Sequence, residues 1–179
     1  MSGASPNLAA DWRSLVRDVP DFPIPGILFK DIVPVLADPA GLAAMTAELT
    51  EAARAMQPDV VVAIEARGFI LGAPIALALG IGFVPVRKPG KLPFTTRSVA
   101  YALEYGEAVL HMHTDALGEG ARVVIVDDVL ATGGTLEASA QLVTEAGAIA
   151  VGAVVALEIG GLGARERLAR LPLTALQAV

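Results

Sequence analysis

Two adjacent carboxylates and a loop of glycine and threonine follow an apolar run in residues 123–135. The segment reads Val-Val-Ile-Val-Asp-Asp-Val-Leu-Ala-Thr-Gly-Gly-Thr. If a helix begins at the glycines, its unpaired N–H groups and its dipole favour an anion such as phosphate. Gly133 and Gly134 let the backbone approach that anion closely, and Thr132 and Thr135 add hydroxyl donors.

Asp127 and Asp128 narrow the kind of ligand that this loop suits. Because carboxylates repel phosphate, they are expected to face sugar hydroxyls or a hard cation such as Mg²⁺. Ligands of open parallel sheets bind beyond the carboxyl ends of the strands, where these residues fall. The segment therefore predicts a site for a phosphorylated ribose, with the phosphate at the helix end and the diol on the carboxylates.

Two common phosphate-binding patterns do not fit this segment. No lysine follows the glycines, so it is not a Walker A loop, and the Gly-x-Gly-x-x-Gly pattern of dinucleotide sites is absent. An ordinary strand–turn–helix connection is the alternative, and it would account for a lone Gly-Gly pair. The whole string favours the ligand site.

The basic residues form one local group in an acidic chain. The sequence has 13 Lys and Arg against 19 Asp and Glu, for a net charge of −6. Arg87, Lys88, Lys91 and Arg97 fall within one short segment, with Arg67 upstream. Nucleic-acid-binding proteins usually carry a broad basic surface, so this pattern favours a small anionic ligand instead.

The composition predicts one globular, cytoplasmic domain. The chain has 179 residues, 54% hydrophobic and 18% charged, which does not fit disorder. There is no Cys, which excludes disulfides and cysteine chemistry, and no signal-peptide pattern is seen at the start. Residues 69–86 lack charge, but their glycines and prolines favour a short helix and a strand over a membrane span.

Alternating strands and helices must position these residues. Apolar runs predict strands at residues 60–64, 83–86, 123–126 and 149–157, with helices at 69–79 and 134–146. This order indicates an α/β protein with a mainly parallel sheet flanked by helices. Residues 98–103 and 108–113 predict an antiparallel hairpin beside it.

The remaining segments predict shorter elements. Residues 8–16 predict a short helix, and the prolines of residues 19–26 indicate a stiff loop without regular structure. Asp38 and Pro39 are typical of a helix start, for a helix to about residue 56. A loop then precedes a last helix at residues 165–171.

Residues 123–135 resemble the phosphoribosyl-pyrophosphate (PRPP) loop of the type I phosphoribosyltransferases. Four further segments, residues 21–32, 64–69, 87–93 and 103–106, resemble the branch of that family whose acceptor is adenine, along nearly the whole chain. The resemblance implies the type I fold in one domain, 1–179, with a base-binding hood at about 1–35 and a flexible catalytic loop at about 87–107. It also implies a homodimer.

The implied reaction transfers the phosphoribosyl group of PRPP to adenine, giving AMP and pyrophosphate in purine salvage. Mg²⁺ is the implied cofactor, held mainly by PRPP and water near Asp127 and Asp128. Arg67 and Glu104 are the implied catalytic residues. Glu104 would take the proton from the adenine ring nitrogen or stabilise that tautomer, work suited to a carboxylate in a closed, dry site.

The other implied roles fall into three groups. Adenine would lie against the hood segment, where many family members have Arg in place of Lys30, a departure that matters only if the side chain stacks on the base. The three groups are the adenine contacts Leu28, Phe29 and Lys30; the pyrophosphate contacts Glu65, Ala66, Arg67, Gly68, Arg87, Lys88 and Lys91; and the ribose and 5′-phosphate contacts Asp127, Asp128, Ala131, Thr132, Gly133, Gly134 and Thr135.

Two alternatives stay open at the level of sequence. One is an enzyme of the same family that uses a 6-oxopurine, where a Lys or Arg side chain usually donates to the exocyclic oxygen. The other is a PRPP-sensing regulator without activity, which usually carries a DNA-binding module and a basic surface. The length and charge of this chain fit the second alternative poorly.

Overall fold

The structure is a computed structural model that describes residues 11–22, 24–26, 28–102 and 107–179. The chain forms two compact units, Met1–Glu48 and Leu49–Val179. None of the helices in the described ranges is long and apolar enough to cross a membrane.

The first unit contains a small antiparallel sheet. A 3-10 helix, Trp12–Leu15, is followed by strands β1, Arg17–Pro20, and β2, Leu28–Asp31, and by helix α1, Val33–Ala37. The indole of Trp12 is fully buried and donates to Glu48 Oε1 at 2.9 Å. Of the helix predicted at 8–16, only the part from residue 11 onward falls within the described residues, and there it is a 3-10 turn.

The prediction that residues 19–26 have no regular structure was wrong at its start. Val19 and Pro20 belong to β1, where they pair with Phe29 and Leu28 of β2. Proline is tolerated here because it ends a strand of a two-stranded sheet, where its missing N–H costs little. Neither β2 nor α1 was predicted.

Helix α2 spans Pro39–Ala55, as predicted from its start signal. Asp38 Oδ1 accepts a hydrogen bond from the Gly41 amide at 2.6 Å, which satisfies one of the unpaired N–H groups of the first turn. Pro39 takes the first helical position, where no N–H is needed.

The second unit is built on a five-stranded parallel sheet in the order β4-β3-β7-β8-β9. The α/β fold class is confirmed. Strand β9, at one edge, was not predicted. The strands are β3 Val60–Ile64, β4 Gly82–Val86, β7 Arg122–Leu130, β8 Ile149–Glu158 and β9 Leu173–Ala178.

The central strands are apolar because helices and the hairpin cover the sheet. Val123–Val126 of β7 and Val61–Ile64 of β3 are buried. Helix α3, Arg67–Leu79, packs on β3 and β7, while α4, Gly134–Glu145, packs on β7 and β8 and on the hairpin. Helix α3 starts two residues before the predicted helix, and α5, Ala164–Arg167, is shorter than the predicted 165–171.

The predicted hairpin is present. Strand β5, Thr96–Ala102, runs antiparallel to β6, Glu107–His113. Ala102 and Glu107 form the last pair of this ladder among the described residues. Residues 103–106 lie outside the described residues.

Candidate active site

Two loops lie side by side at the carboxyl edge of the five-stranded sheet. Strand β3 leads into residues 65–68, and β7 leads into residues 131–135. The two strands are parallel neighbours, with Val60 beside Val123, so their carboxyl ends open on the same side. The structure thus brings together both loops that the sequence singles out, at the edge where α/β proteins bind ligands.

Strand β7 continues through both carboxylates, which corrects the predicted strand end at residue 126. Asp127 pairs with Val155, and Leu130 pairs with Glu158. The ladder between β7 and β8 therefore continues for four residues beyond the predicted end of β7. Asp127 and Asp128 therefore lie on a hydrogen-bonded strand, and both carboxylates lie near the start of α3.

Asp128 is buried, with 5% of the residue exposed. Its carboxylate forms an ion pair with Arg67 Nε, at the start of α3. The close approach of α3 to β7 requires glycine at position 68. A Cβ there would lie 2.9 Å from the Val126 carbonyl oxygen and 3.0 Å from Asp127 Oδ1. Arg67 is thereby anchored to β7 while 43% of its side chain stays exposed.

Asp127 experiences an unfavourable electrostatic environment. Burial, followed by the neighbouring Asp128 carboxylate, raises the pKa of Asp127 well above its usual range, despite an opposing hydrogen bond from the Asp128 amide. That amide donates to Asp127 Oδ1 at 2.9 Å. Groups whose pKa is strongly perturbed by burial and by a charged neighbour, as that of Asp127 is, cluster at functional sites.

Glu65 contacts the first two residues of the basic segment, Arg87 and Lys88. Its carboxylate accepts from Arg87 Nε at 3.2 Å and from the Lys88 amide at 3.0 Å. Burial acts to raise the pKa of Glu65, but the hydrogen bonds from Lys88 and Arg87 outweigh it and leave that pKa below its usual value. The peptide bond between Glu65 and Ala66 is cis.

The basic segment follows β4 directly. Arg87 Nη1 also donates to the Lys91 carbonyl at 3.1 Å, so this one side chain joins the 65–68 loop to the segment. Lys88 and Lys91 are exposed, and neither forms an ion pair within the described ranges. Their ammonium groups are available to an anion at the sheet edge.

The 131–135 loop leads directly into α4. Gly133 adopts a left-handed conformation with φ of +82° and caps the helix, a geometry that favours glycine. Gly133 and Gly134 are buried, and Thr132 and Thr135 are half-buried. The N-terminus of a twelve-residue helix thus faces the same edge as Arg67, and it suits an anion.

Tyr101 was not singled out from the sequence. Its hydroxyl accepts a hydrogen bond from Thr135 Oγ1 at 3.4 Å and so connects the hairpin to the 131–135 loop. The available signal was strand alternation, since Val99, two residues earlier, faces the buried side.

The expected adenine contacts lie in the first unit, and they form β2 rather than a loop. Leu28 is 48% exposed, and the Phe29 ring meets Phe22 edge-on at 5.2 Å between centroids. Lys30 Nζ forms an ion pair with Asp18 at 2.7 Å, a partner that the sequence did not indicate. Glu104, the expected proton acceptor, lies outside the described residues.

A family model described as the phosphoribosyl transferase domain matches residues 35–168. The chain is 56% identical over 170 residues to an adenine phosphoribosyltransferase of a Nocardioides species, covering 93% of this chain and 92% of that one.

Solved structures give the same result. The adenine phosphoribosyltransferase of Thermoanaerobacter pseudethanolicus superposes with a TM-score of 0.91 at 48% identity, over 93% of this chain and 97% of that one. The Saccharomyces cerevisiae adenine phosphoribosyltransferase, solved with adenine and an imino-altritol bisphosphate, superposes with a TM-score of 0.88 at 36% identity, over 95% and 98% of the two chains.

Proposed function

The chain belongs to the phosphoribosyltransferase family and, within it, to the adenine phosphoribosyltransferases; on that premise we propose that it transfers the phosphoribosyl group of PRPP to adenine, giving AMP and pyrophosphate. The observation that carries the proposal is the pairing of the 65–68 and 131–135 loops at one sheet edge, in a chain 56% identical to such an enzyme. Its place is then purine salvage.

The 131–135 loop and the carboxylates of β7 suit the ribose phosphate half of PRPP. The 5′-phosphate fits the N–H groups at the start of α4, aided by the hydroxyls of Thr132 and Thr135. Asp127 and Asp128 accept hydrogen bonds from the ribose hydroxyls. An ionised carboxylate is an acceptor only, and each ribose hydroxyl brings a donor.

The cations around the 65–68 loop suit the departing pyrophosphate. The bond from the anomeric carbon to the pyrophosphate oxygen breaks, and a bond from the adenine ring nitrogen to that carbon forms. Arg67, Arg87, Lys88 and Lys91 neutralise the charge that grows on the leaving group. Glu104 takes the proton that the ring nitrogen loses, or stabilises the tautomer that lacks it.

The acidic groups fit a magnesium ion that the substrate holds in large part. Mg²⁺ usually keeps several waters and binds one or two carboxylates together with substrate phosphates. The described residues contain no group of three or more His, Asp or Glu able to hold a metal by themselves, whereas Asp127 and Asp128 lie beside the proposed ribose site. When bound, the ion would neutralise part of the pyrophosphate charge.

The hood segment, about residues 1–35, is proposed to hold adenine through Leu28, Phe29 and Lys30. Because the Lys30 ammonium pairs with Asp18 at 2.7 Å, the backbone of β2 is the better candidate for reading the base edge. Lysine in place of the common arginine then has little effect on adenine binding. Residues 87–107 are the proposed catalytic loop of a single domain.

An apolar stripe on α3 supports a homodimer. Ile70, Pro74 and Leu77 are spaced to share one face of the helix, and Ile70 and Leu77 are 46% and 82% exposed. Exposed large apolar side chains grouped on one face are typical of interaction surfaces. A second copy of the chain is the proposed occupant.

The direct test offers adenine, hypoxanthine, guanine and orotate in parallel to the purified chain with PRPP and Mg²⁺, and measures pyrophosphate release. Release with adenine alone is the expected result. Release with an oxopurine instead would keep the PRPP site but refute the assignment of Leu28, Phe29 and Lys30. PRPP binding without release would favour a sensor.

A further inference from the structure

Helix α5 packs directly behind the 131–135 loop. A Cβ at Gly133 would lie 3.3 Å from Leu168 Cδ1 and 3.4 Å from the carbonyl oxygen of Ala164. Ala164 and Leu168 are themselves buried. The loop therefore has a closely packed support on the side away from its proposed ligand.

Arg167 of α5 contacts both the loop and the helix that follows it. Its Nη1 donates to the carbonyl oxygen of Thr132 at 3.3 Å. Its Nε lies 3.4 Å from Glu137 Oε2, in the first turn of α4. One guanidinium thus bridges a backbone group of the loop and a carboxylate of the helix, which a planar fork of donors does better than an ammonium.

The Thr132 carbonyl and the Gly133 N–H belong to the same peptide group. In a planar trans peptide these two bonds point in opposite directions. A donor that holds the carbonyl toward α5 therefore directs the Gly133 N–H away from α5. That N–H belongs to the loop proposed to receive the 5′-phosphate.

We propose that Arg167 is a positioning residue for 5′-phosphate recognition, which acts by fixing the Thr132–Gly133 peptide plane. The inference rests on the proposed function of the loop. Arg167 is not among the residues proposed to touch the substrate; it contacts the Thr132 carbonyl of the loop that would. The sequence placed Arg167 only in a C-terminal helix, and no local pattern joins it to a loop 35 residues earlier.

Arg165 supplies a matched control. It lies on the same helix and carries the same charge, but its guanidinium bonds Glu158, at 2.6 Å from Nη2. Arg167→Gln and Arg165→Gln remove the same charge from the same short helix. Only the first removes a donor from the 131–135 loop.

The test measures binding of ribose 5-phosphate and of pyrophosphate, separately, by calorimetry to the full chain and both variants. Arg167→Gln should weaken ribose 5-phosphate binding roughly three- to tenfold, the size expected for one lost hydrogen bond. Pyrophosphate binding should stay unchanged, as should both affinities in Arg165→Gln. In steady-state kinetics the KM for PRPP should rise by a similar factor while kcat and the KM for adenine hold.

Three results would overturn the inference: equal weakening of both ligands, no weakening in Arg167→Gln, or the same weakening in Arg165→Gln. If Arg167→Gln does not fold, Arg167→Lys takes its place and should weaken ribose 5-phosphate binding by a smaller factor. Unchanged ribose 5-phosphate binding in Arg167→Lys would overturn the proposal. If the unaltered chain binds ribose 5-phosphate but makes no AMP, the proposed function fails while the comparison of variants still tests Arg167.

Discussion

Asp127 has opposite consequences for stability and for the proposed binding of PRPP. Burial and the Asp128 carboxylate raise the pKa of Asp127 in the folded chain, so ionisation of Asp127 disfavours folding. This unfavourable contribution is absent below the pKa of the unfolded chain and grows as the pH rises through the raised pKa of the folded chain. A carboxylate kept at this cost is consistent with a binding role.

We expect Asp127→Asn to raise the free energy of unfolding at neutral pH, with a gain that disappears in acid below the pKa of the unfolded chain. The amide oxygen can still accept from the Asp128 amide. Urea denaturation across a pH series measures this, with the exposed Asp115→Asn expected to stay within about 0.5 kcal/mol. A loss of stability in Asp127→Asn at neutral pH would contradict the prediction.

The proposed role of Glu104 predicts a change in rate more than in binding. Glu104→Gln should lower kcat about 100-fold or more, as loss of a general base does, with a smaller change in adenine binding. Glu107→Gln, at the exposed first residue of β6, is the control. If kcat and adenine affinity fall equally in steady-state assays, Glu104 serves recognition instead.

At the scale of elements, the start of α3 depends on one glycine. Gly68→Ala would set a Cβ 2.9 Å from the Val126 carbonyl oxygen, so α3 must shift away from β7. We expect a loss of roughly 1–3 kcal/mol in the free energy of unfolding, with weaker PRPP binding because Arg67 moves with the helix.

Gly118→Ala is the control for that substitution, because no heavy atom lies within 4 Å of its added Cβ. Denaturation should find its stability unchanged or raised by up to about 1 kcal/mol. Equal losses in the two variants would mean that close packing against β7 is not what requires glycine at position 68.

The sequence predicts the central elements well and the short ones poorly. Strand β3 matches its predicted bounds, since a buried apolar run between polar residues has clear ends. The sequence did not predict strand β2, helix α1 or strand β9, because each is short and only partly buried. Tertiary pairing decides whether such a segment forms. Pairing with β8 likewise carries β7 past its apolar run to Leu130.

The same limit applies to the site. The loops could be located because local composition marks a phosphate site. Their side-chain partners could not, because the ion pairs of Arg67 with Asp128 and of Arg87 with Glu65 join residues 61 and 22 positions apart. The ion pair of Lys30 with Asp18 joins strands β2 and β1, neither of which was predicted.

At the scale of the whole molecule, the proposed homodimer rests on the apolar stripe of α3. Leu77→Glu places a charge on its most exposed member, 82% accessible, and should convert a dimer into an 18.3 kDa monomer. Light scattering coupled to size-exclusion chromatography measures the mass. Leu162→Glu, in the exposed loop before α5, should leave the dimer intact. A monomeric unaltered chain would refute the proposal.

The internal ion pairs of the sheet edge also give this site a means of discrimination. Free phosphate or sulfate could draw Arg67 off Asp128 only by leaving a buried carboxylate without its counter-charge, a costly exchange. A ligand with both a pyrophosphate and a sugar diol satisfies the two released groups at once. The common inorganic anions of the cell should therefore compete poorly with PRPP for the Arg67 guanidinium.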